Sequence, residues 1–373
     1  MRGNTKRSAT RRVRAALSAT VVVCAVMTVL PGAASAEAMT VPGVASDSGA
    51  GVERISVATD GTQGDGDSAG ATITADGRRI AFSSLAKNLT PANPATSERV
   101  FVRDRRTSQT KLMSTLTTPI QRPVISGNGQ YVALWGWLFR DTKTFLSQVS
   151  SGSTIGITCP GLSCSQPSLS ADGRYMAHVA TFSRPPSRQR IEVRDWQDDT
   201  AETVAEFGHN ISARPSVSGD GRFVAYQDGQ AEDVFVWDRT DGISSGPIED
   251  PSKAATLVQL SKDGSKVVYL SGSDTYVHDV SSGTDQLVPN VRGVAIDPTG
   301  RYLLYAPNDT SGPSLMLRDL ETGTDEIVSN QPASAGTEAV SAGGRDVVFH
   351  SAADDIVPGD TNGKSDIFVR RFY

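Results

Sequence analysis

The chain has 373 residues, 38% of them hydrophobic and 21% charged, and its 36 Lys and Arg against 41 Asp and Glu give a net charge of −5. That apolar fraction is enough for a folded core and excludes a disordered polyelectrolyte. Six of the basic residues precede position 37, and without them 30 basic face 41 acidic residues, a net charge of −11 that repels phosphate backbones, so nucleic acid is not an expected partner.

Those six, Arg2, Lys6, Arg7, Arg11, Arg12 and Arg14, come before an apolar run from Ala15 to Leu30, then Pro31 and Ala34-Ser35-Ala36. The order is that of a secretory signal peptide, residues 1–36, cleaved after Ala36. Arg11-Arg12 leaves Sec and twin-arginine export both open. No run is long enough to span a membrane. The mature chain is therefore expected outside the cytoplasm, with a Gly/Ser/Ala-rich lead-in at 37–51.

From residue 52 onward one unit repeats: an apolar strand, a Ser-x-Asp-Gly turn, and a strand of basic, aromatic and aliphatic residues. It occurs at Ala75-Asp76-Gly77-Arg78, Ser126-Gly127-Asn128-Gly129, Ser170-Ala171-Asp172-Gly173 and Ser218-Gly219-Asp220-Gly221. Ser261-Lys262-Asp263-Gly264, Asp297-Pro298-Thr299-Gly300 and Ser341-Ala342-Gly343-Gly344 complete seven. Gly77 to Gly344 is 267 residues in six steps, a mean near 44, the period of four-stranded propeller blades. A third strand ends in Asp, as in Phe101-Val102-Arg103-Asp104, Val193-Arg194-Asp195, Val236-Trp237-Asp238, Val277-His278-Asp279 and Leu317-Arg318-Asp319, with Phe139-Arg140-Asp141 the weaker instance in blade 2. A short fourth strand follows, as at Lys111–Ser114 and Glu326–Ser329. Blade 7 ends on Asp366-Ile367-Phe368-Val369-Arg370 and lacks it, so Arg54-Ile55-Ser56-Val57 is expected to supply it and close the ring.

These units resemble the WD-repeat-like propeller repeats of the TolB-like family across residues 52–373. The resemblance implies an all-β, single seven-bladed propeller closed by its N-terminal strand. Some TolB-like propellers are polysaccharide lyases that hold a metal with several histidines near the ring centre. Here His178, His209, His278 and His350 are spread over separate blades and one connection, and read as satisfied strand-end histidines. TolB's additional α/β domain has no counterpart, so its transport role does not carry over.

Gly66-Asp67-Ser68-Ala69-Gly70 has the spelling of a hydrolase elbow, but strand residues follow it where that motif needs a helix. Ser68 reads as a loop residue, and no catalytic residue is assigned. The recurring Arg–Asp pairs read as fold chemistry, because a site is a departure from the repeat. Cys159 and Cys164 bracket a Pro-Gly turn and are expected to form a local disulfide. Loops between second and third strands are long in blades 1, 3 and 7. The blade 7 loop, Gly359-Asp360-Thr361-Asn362-Gly363-Lys364-Ser365-Asp366, alternates oxygen side chains as calcium loops do. Asp360, Asn362 and Asp366 are the candidate calcium ligands, in a seam shared with Asp60, Asp65, Asp67, Asp354 and Asp355. The expectation is a monomeric extracytoplasmic binding or scaffold propeller that meets an extracellular or envelope protein or glycan through its loop-rich face. The competing reading is a lyase-like or lactonase-like enzyme with its site at the central channel.

Overall fold

A tight turn that reverses a strand in two residues needs a backbone with positive φ, which glycine adopts without strain. All seven turn glycines do so in the computed structural model, with φ between 68° and 77°. Residues 51–91, 97–113, 118–119, 122–138, 141–182, 188–209, 211 and 213–373 are described. Residues 1–50, which hold the expected signal segment and all of the expected lead-in but Gly51, lie outside them.

Each turn joins the first two strands of an antiparallel sheet, and seven sheets form an all-β propeller. Blade 1 is Ser68–Ile73, Arg79–Ser84, Arg99–Asp104 and Gln109–Leu112. In blade 2 the inner strand is split into Thr118–Pro119 and Val124–Ile125, both paired with Tyr131–Leu138, followed by Asp141–Gln148 and Thr154–Gly156. Blade 3 is Ser163–Leu169, Tyr175–Thr181, Gln189–Asp195 and Thr200–Phe207, and blades 4 to 6 repeat the order over 216–245, 256–288 and 291–329.

Strand alternation sends successive side chains to opposite neighbouring blades. Phe82 stacks on Phe101 at 5.8 Å and Phe349 on Phe368 at 5.7 Å, and all four are fully buried in one cluster at the junction of blades 7 and 1. Burial of each such ring is worth roughly 1.5–3 kcal/mol.

The closure is as expected, with a shift. Val52–Arg54, two residues earlier than the expected segment, pairs with Arg370, Val369 and Phe368 as the outer strand of blade 7, and Ile55 N–H donates onward to Ile367 O at 2.7 Å. Blade 7's innermost segment is reduced to two isolated bridges, Ser334 with His350 and Val340 with Val347. Two further expectations change. Asp141 opens the third strand of blade 2 rather than ending it; Gln148 stands opposite Tyr131, as Asp195 stands opposite Tyr175, because Phe145 and Leu146 must both reach the interior. Blade 1's outer strand is Gln109–Leu112.

The turns are tied to one another around the axis. Ala75 N–H donates to Gly127 O, Asn128 to Ala171, Ala171 to Gly219, Gly219 to Lys262 and Asp263 to Pro298, at 2.6–3.1 Å. Pro298 has no N–H to continue the series. There Asp297 accepts from Gly343 N–H at 2.9 Å instead, and Ala342 N–H donates on to Ala75 O at 2.9 Å, so the ring closes with its direction reversed once.

Cys159 and Cys164 form a disulfide with Cα atoms 5.8 Å apart. A loop this short gains only about 2 kcal/mol from the cross-link on the chain-entropy model. Reduction should therefore lower the melting temperature slightly without unfolding the protein, as differential scanning fluorimetry with and without reductant will show; collapse of the transition on reduction would contradict it.

Candidate functional site

Four residues before the turn Ser or its equivalent, the inner segments of blades 1, 2, 4 and 7 reach the channel mouth. In blades 2 and 4 the residue at that position is an arginine followed by proline, Arg122-Pro123 and Arg214-Pro215, whereas blades 1 and 7 have Gly70 and Thr337 there. These four, with Ala69, Ser83, Glu98 and His350, line an open cavity of about 530 Å³.

Arg122 is solvent-exposed and Arg214 half-buried. Arg122 lies across two glycines: a methyl group on Gly70 would come within 2.6 Å of its Cγ, and one on Gly336 would collide with its Nη1. Its Nη1 donates to Ala335 O at 3.5 Å, and Arg214 Nη2 donates to Arg122 O at 3.4 Å. Both bonds are long, and among the described residues neither guanidinium is ion-paired with a carboxylate. Glu338, whose charge reaches Arg214, is bound instead to Lys262 Nζ at 2.8 Å. Lost hydration lowers the pKa of both arginines, and Arg122 adds to the lowering at Arg214.

Two proton-transfer groups share the cavity. Burial raises the Glu98 carboxyl from its usual range, while burial and the charge of Arg122 lower the His350 ring. Below them polar side chains bridge the inner segments of several blades. Lys262, at a turn position where the other blades have Ala, Gly or Pro, donates to Leu169 O at 2.7 Å and Val217 O at 3.3 Å as well as to Glu338. Gln259 accepts from Glu338 N–H at 2.9 Å and donates to Ile296 O at 3.0 Å. The mouth thus opens above these bridges, with two arginines in its lining.

The remaining sequence candidates sit elsewhere. His178 is wholly buried in blade 3, His209 Nε2 meets Asp228 at 2.8 Å and His278 Nδ1 meets Asp285 at 3.0 Å. Only His350 reaches the mouth, so the four do not converge. Ser68, expected in a loop, instead opens the inner strand of blade 1, where it is buried opposite Ser84 and donates to its Oγ at 2.8 Å. The Arg–Asp pairs recur as blade chemistry, for instance Arg222–Asp238 at 2.7 Å and Arg301–Asp319 at 2.7 Å.

Asp360, Asn362 and Asp366 do come together at the seam, but around a cation of the chain itself. Arg54, from the closing strand, lies 3.0 Å from Asp360 and 3.6 Å from Asp366, while Asn362 Nδ2 donates to Asp366 at 2.8 Å and Ser56 Oγ donates to it at 2.5 Å. Burial pushes the Asp366 carboxyl up against those bonds. Asp60, Asp65 and Asp67 accept from the amides of Thr62, Lys87 and Ser365. The expected crowd of unneutralised carboxylates is absent because Arg54 and backbone amides satisfy it, and calcium at this loop gains no support. Among the described residues no group of three or more His, Cys, Asp or Glu is placed to hold a metal. No helix there is long and apolar enough to cross a membrane.

The fold defines a seven-bladed β-propeller with an arginine-bearing cavity at its channel mouth. No protein-family model and no curated protein sequence matches the chain. Among solved structures it is similar to an oligogalacturonate lyase in complex with manganese, at TM-score 0.64 and 12% identity over 86% of this chain and 93% of that one. An oligogalacturonate lyase from Vibrio parahaemolyticus gives 0.62 and 11%, again over 86% and 93%. TolB from Acinetobacter baumannii gives 0.46 and 19%, over 70% of this chain and 62% of TolB. At these identities the likeness is one of fold. The described residues do not fit a manganese centre at the mouth, where His350 and Glu98 are the only metal-ligating side chains.

Proposed function

We propose that the protein is an extracytoplasmic binding propeller whose channel mouth captures a carboxylate-bearing glycan. The observation that carries this is the Arg122–Arg214 pair, two guanidiniums without carboxylate partners in one cavity of about 530 Å³. Guanidinium forks match carboxylates in shape and charge. A neutral sugar or an apolar peptide would leave both cations uncompensated, and an acidic chain compensates both. The fold likeness to enzymes that act on oligogalacturonate supports an acidic saccharide as the first ligand to test.

Calorimetric titration with oligogalacturonate tests it. Each hydrogen bond to a charged group is worth about 1.5–3 kcal/mol, so Arg122→Ala or Arg214→Ala should weaken binding roughly 10- to 100-fold, with affinity falling as salt rises. No binding by the wild type, or equal binding by a folded double variant, would overturn the reading.

A second reading rests on Glu98 and His350. Carboxyl and imidazole pKa values shifted in opposite directions inside one cleft are what acid–base chemistry uses. In a lyase-like enzyme the arginines would neutralise the substrate carboxylate while one of these groups takes the proton beside it. Ultraviolet absorbance of an unsaturated sugar product, lost in His350→Asn and Glu98→Gln, would select turnover over capture.

A further inference from the structure

The second strand of blade 2 is Tyr131–Leu138, eight residues, where those of blades 1 and 7 have six. Ser83 and His350 each stand six residues past their turn glycine and line the mouth; Trp135 holds that level in blade 2. The added length carries Trp137 two residues further, about 7 Å along the strand. It is 54% exposed, while Trp135 and Trp237 are 8% and 4% exposed. Among the described residues no other ring contacts it. Its strand neighbour Thr118–Pro119, paired with Trp137 and Gly136, stands three positions before Arg122 in the sequence. Opposite Gly136, Lys143 donates its Nζ to Leu162 O at 3.0 Å, which brings the disulfide loop and exposed Leu162 to the same corner.

We infer that Trp137 is a stacking platform for a sugar ring, a second subsite for the glycan whose carboxylate is held by Arg122 and Arg214; the inference rests on that reading of the mouth. One exposed indole with one leucine offers the area of about one sugar ring and falls far short of the roughly 800 Å² per partner that a stable protein interface needs. A pyranose presents an apolar C–H face to an indole and keeps its hydroxyls on the edge, so ring and platform match without desolvating polar groups. Trp137 selects for chain length and the arginines for charge.

The probes are galacturonic acid monosaccharide and a longer oligogalacturonate, titrated against the full mature protein. Trp137→Ala should weaken the chain about tenfold and leave the monosaccharide unchanged, and Trp137→Phe should restore part of the loss. Tryptophan fluorescence should respond to the chain in the wild type and lose that response in Trp137→Phe. Wild-type protein that binds neither probe would overturn the mouth reading and the subsite together. Wild type binding both, with Trp137→Ala holding the chain unchanged, would overturn the subsite alone. Equal losses on both probes would make Trp137 a structural residue and also overturn it.

Discussion

Removal of residues 37–58 should replace cooperative unfolding with aggregation. The deletion strips Val52–Arg54 from the edge of blade 7, so Asp366–Arg371 exposes a row of unpaired backbone groups. It removes Ile55, which is fully buried in the cluster joining blades 7 and 1, and a loss of that kind costs about 2–5 kcal/mol. It also withdraws Arg54 from Asp360 and Asp366, and a buried pair broken from one side costs about 3–5 kcal/mol. Together these rival the 5–15 kcal/mol that holds a typical domain folded. Thermal unfolding and size exclusion on the truncated chain measure it. A melt like that of the intact mature protein would show that the seam does not depend on the N-terminal strand.

Acidification from pH 6.5 to 4 should cost about 3 kcal/mol through one residue, His178. Its ring is wholly buried, facing blade 2 on the same strand face as Met176, and neither ring nitrogen has a hydrogen-bond partner. Glu192 stands 3.8 Å away and favours the charged ring, but burial first and the Arg194 charge second prevail and hold the pKa at about 4. Below pH 6.5 the unfolded chain takes up this proton and the folded chain refuses it until about pH 4. Stability is therefore present above 6.5, is lost as pH falls through that window, and stays lost below it. The other blades have Phe82, Leu134, Tyr226, Tyr269, Tyr305 and Phe349 at this position. His178→Leu and His178→Phe should flatten the stability profile between pH 6.5 and 5, leaving the smaller contribution of His350. Denaturant titration across that range checks the slope. A profile unchanged in both variants would place the pH response elsewhere.

The blades were legible because their chemistry recurs. Each turn glycine packs on the residue that opens the second strand of the preceding blade, so that Gly221 sits over Tyr175 and Gly264 over Phe223, and the sequence repeats whatever the geometry repeats. The mouth was not legible. Arg122 and Arg214 are 92 residues apart, in connections that match no motif, and only the folding of the ring brings the Arg214 side chain within reach of the Arg122 backbone. A signal did exist: each begins an Arg-Pro step into an inner strand where blade 3 has Gln166-Pro167, blade 5 has Leu257, and blades 1, 6 and 7 have Gly70, Gly293 and Thr337. The seam misled for a related reason. Spacing in the blade 7 loop reports its oxygen atoms, while the cation they surround comes from Arg54, more than 300 residues earlier. His350 looked like its fellow histidines because a strand end facing a neighbouring blade and one facing the channel differ by a register that sequence does not print.

Seven similar units on a circle pose a problem of phase. If every junction were alike, nothing in the turns themselves would distinguish one rotation of the ring from another. The belt of turn-to-turn hydrogen bonds has a single discontinuity: blade 6 receives from both sides, through Pro298 O and the Asp297 carboxylate, while blade 7 gives to both sides. That makes blade 6 an acceptor-only segment of the belt and blade 7 a donor-only one, and between them donation runs against chain order. The junction next to the seam is thereby marked chemically, and it differs from the other six in the direction of its hydrogen bond.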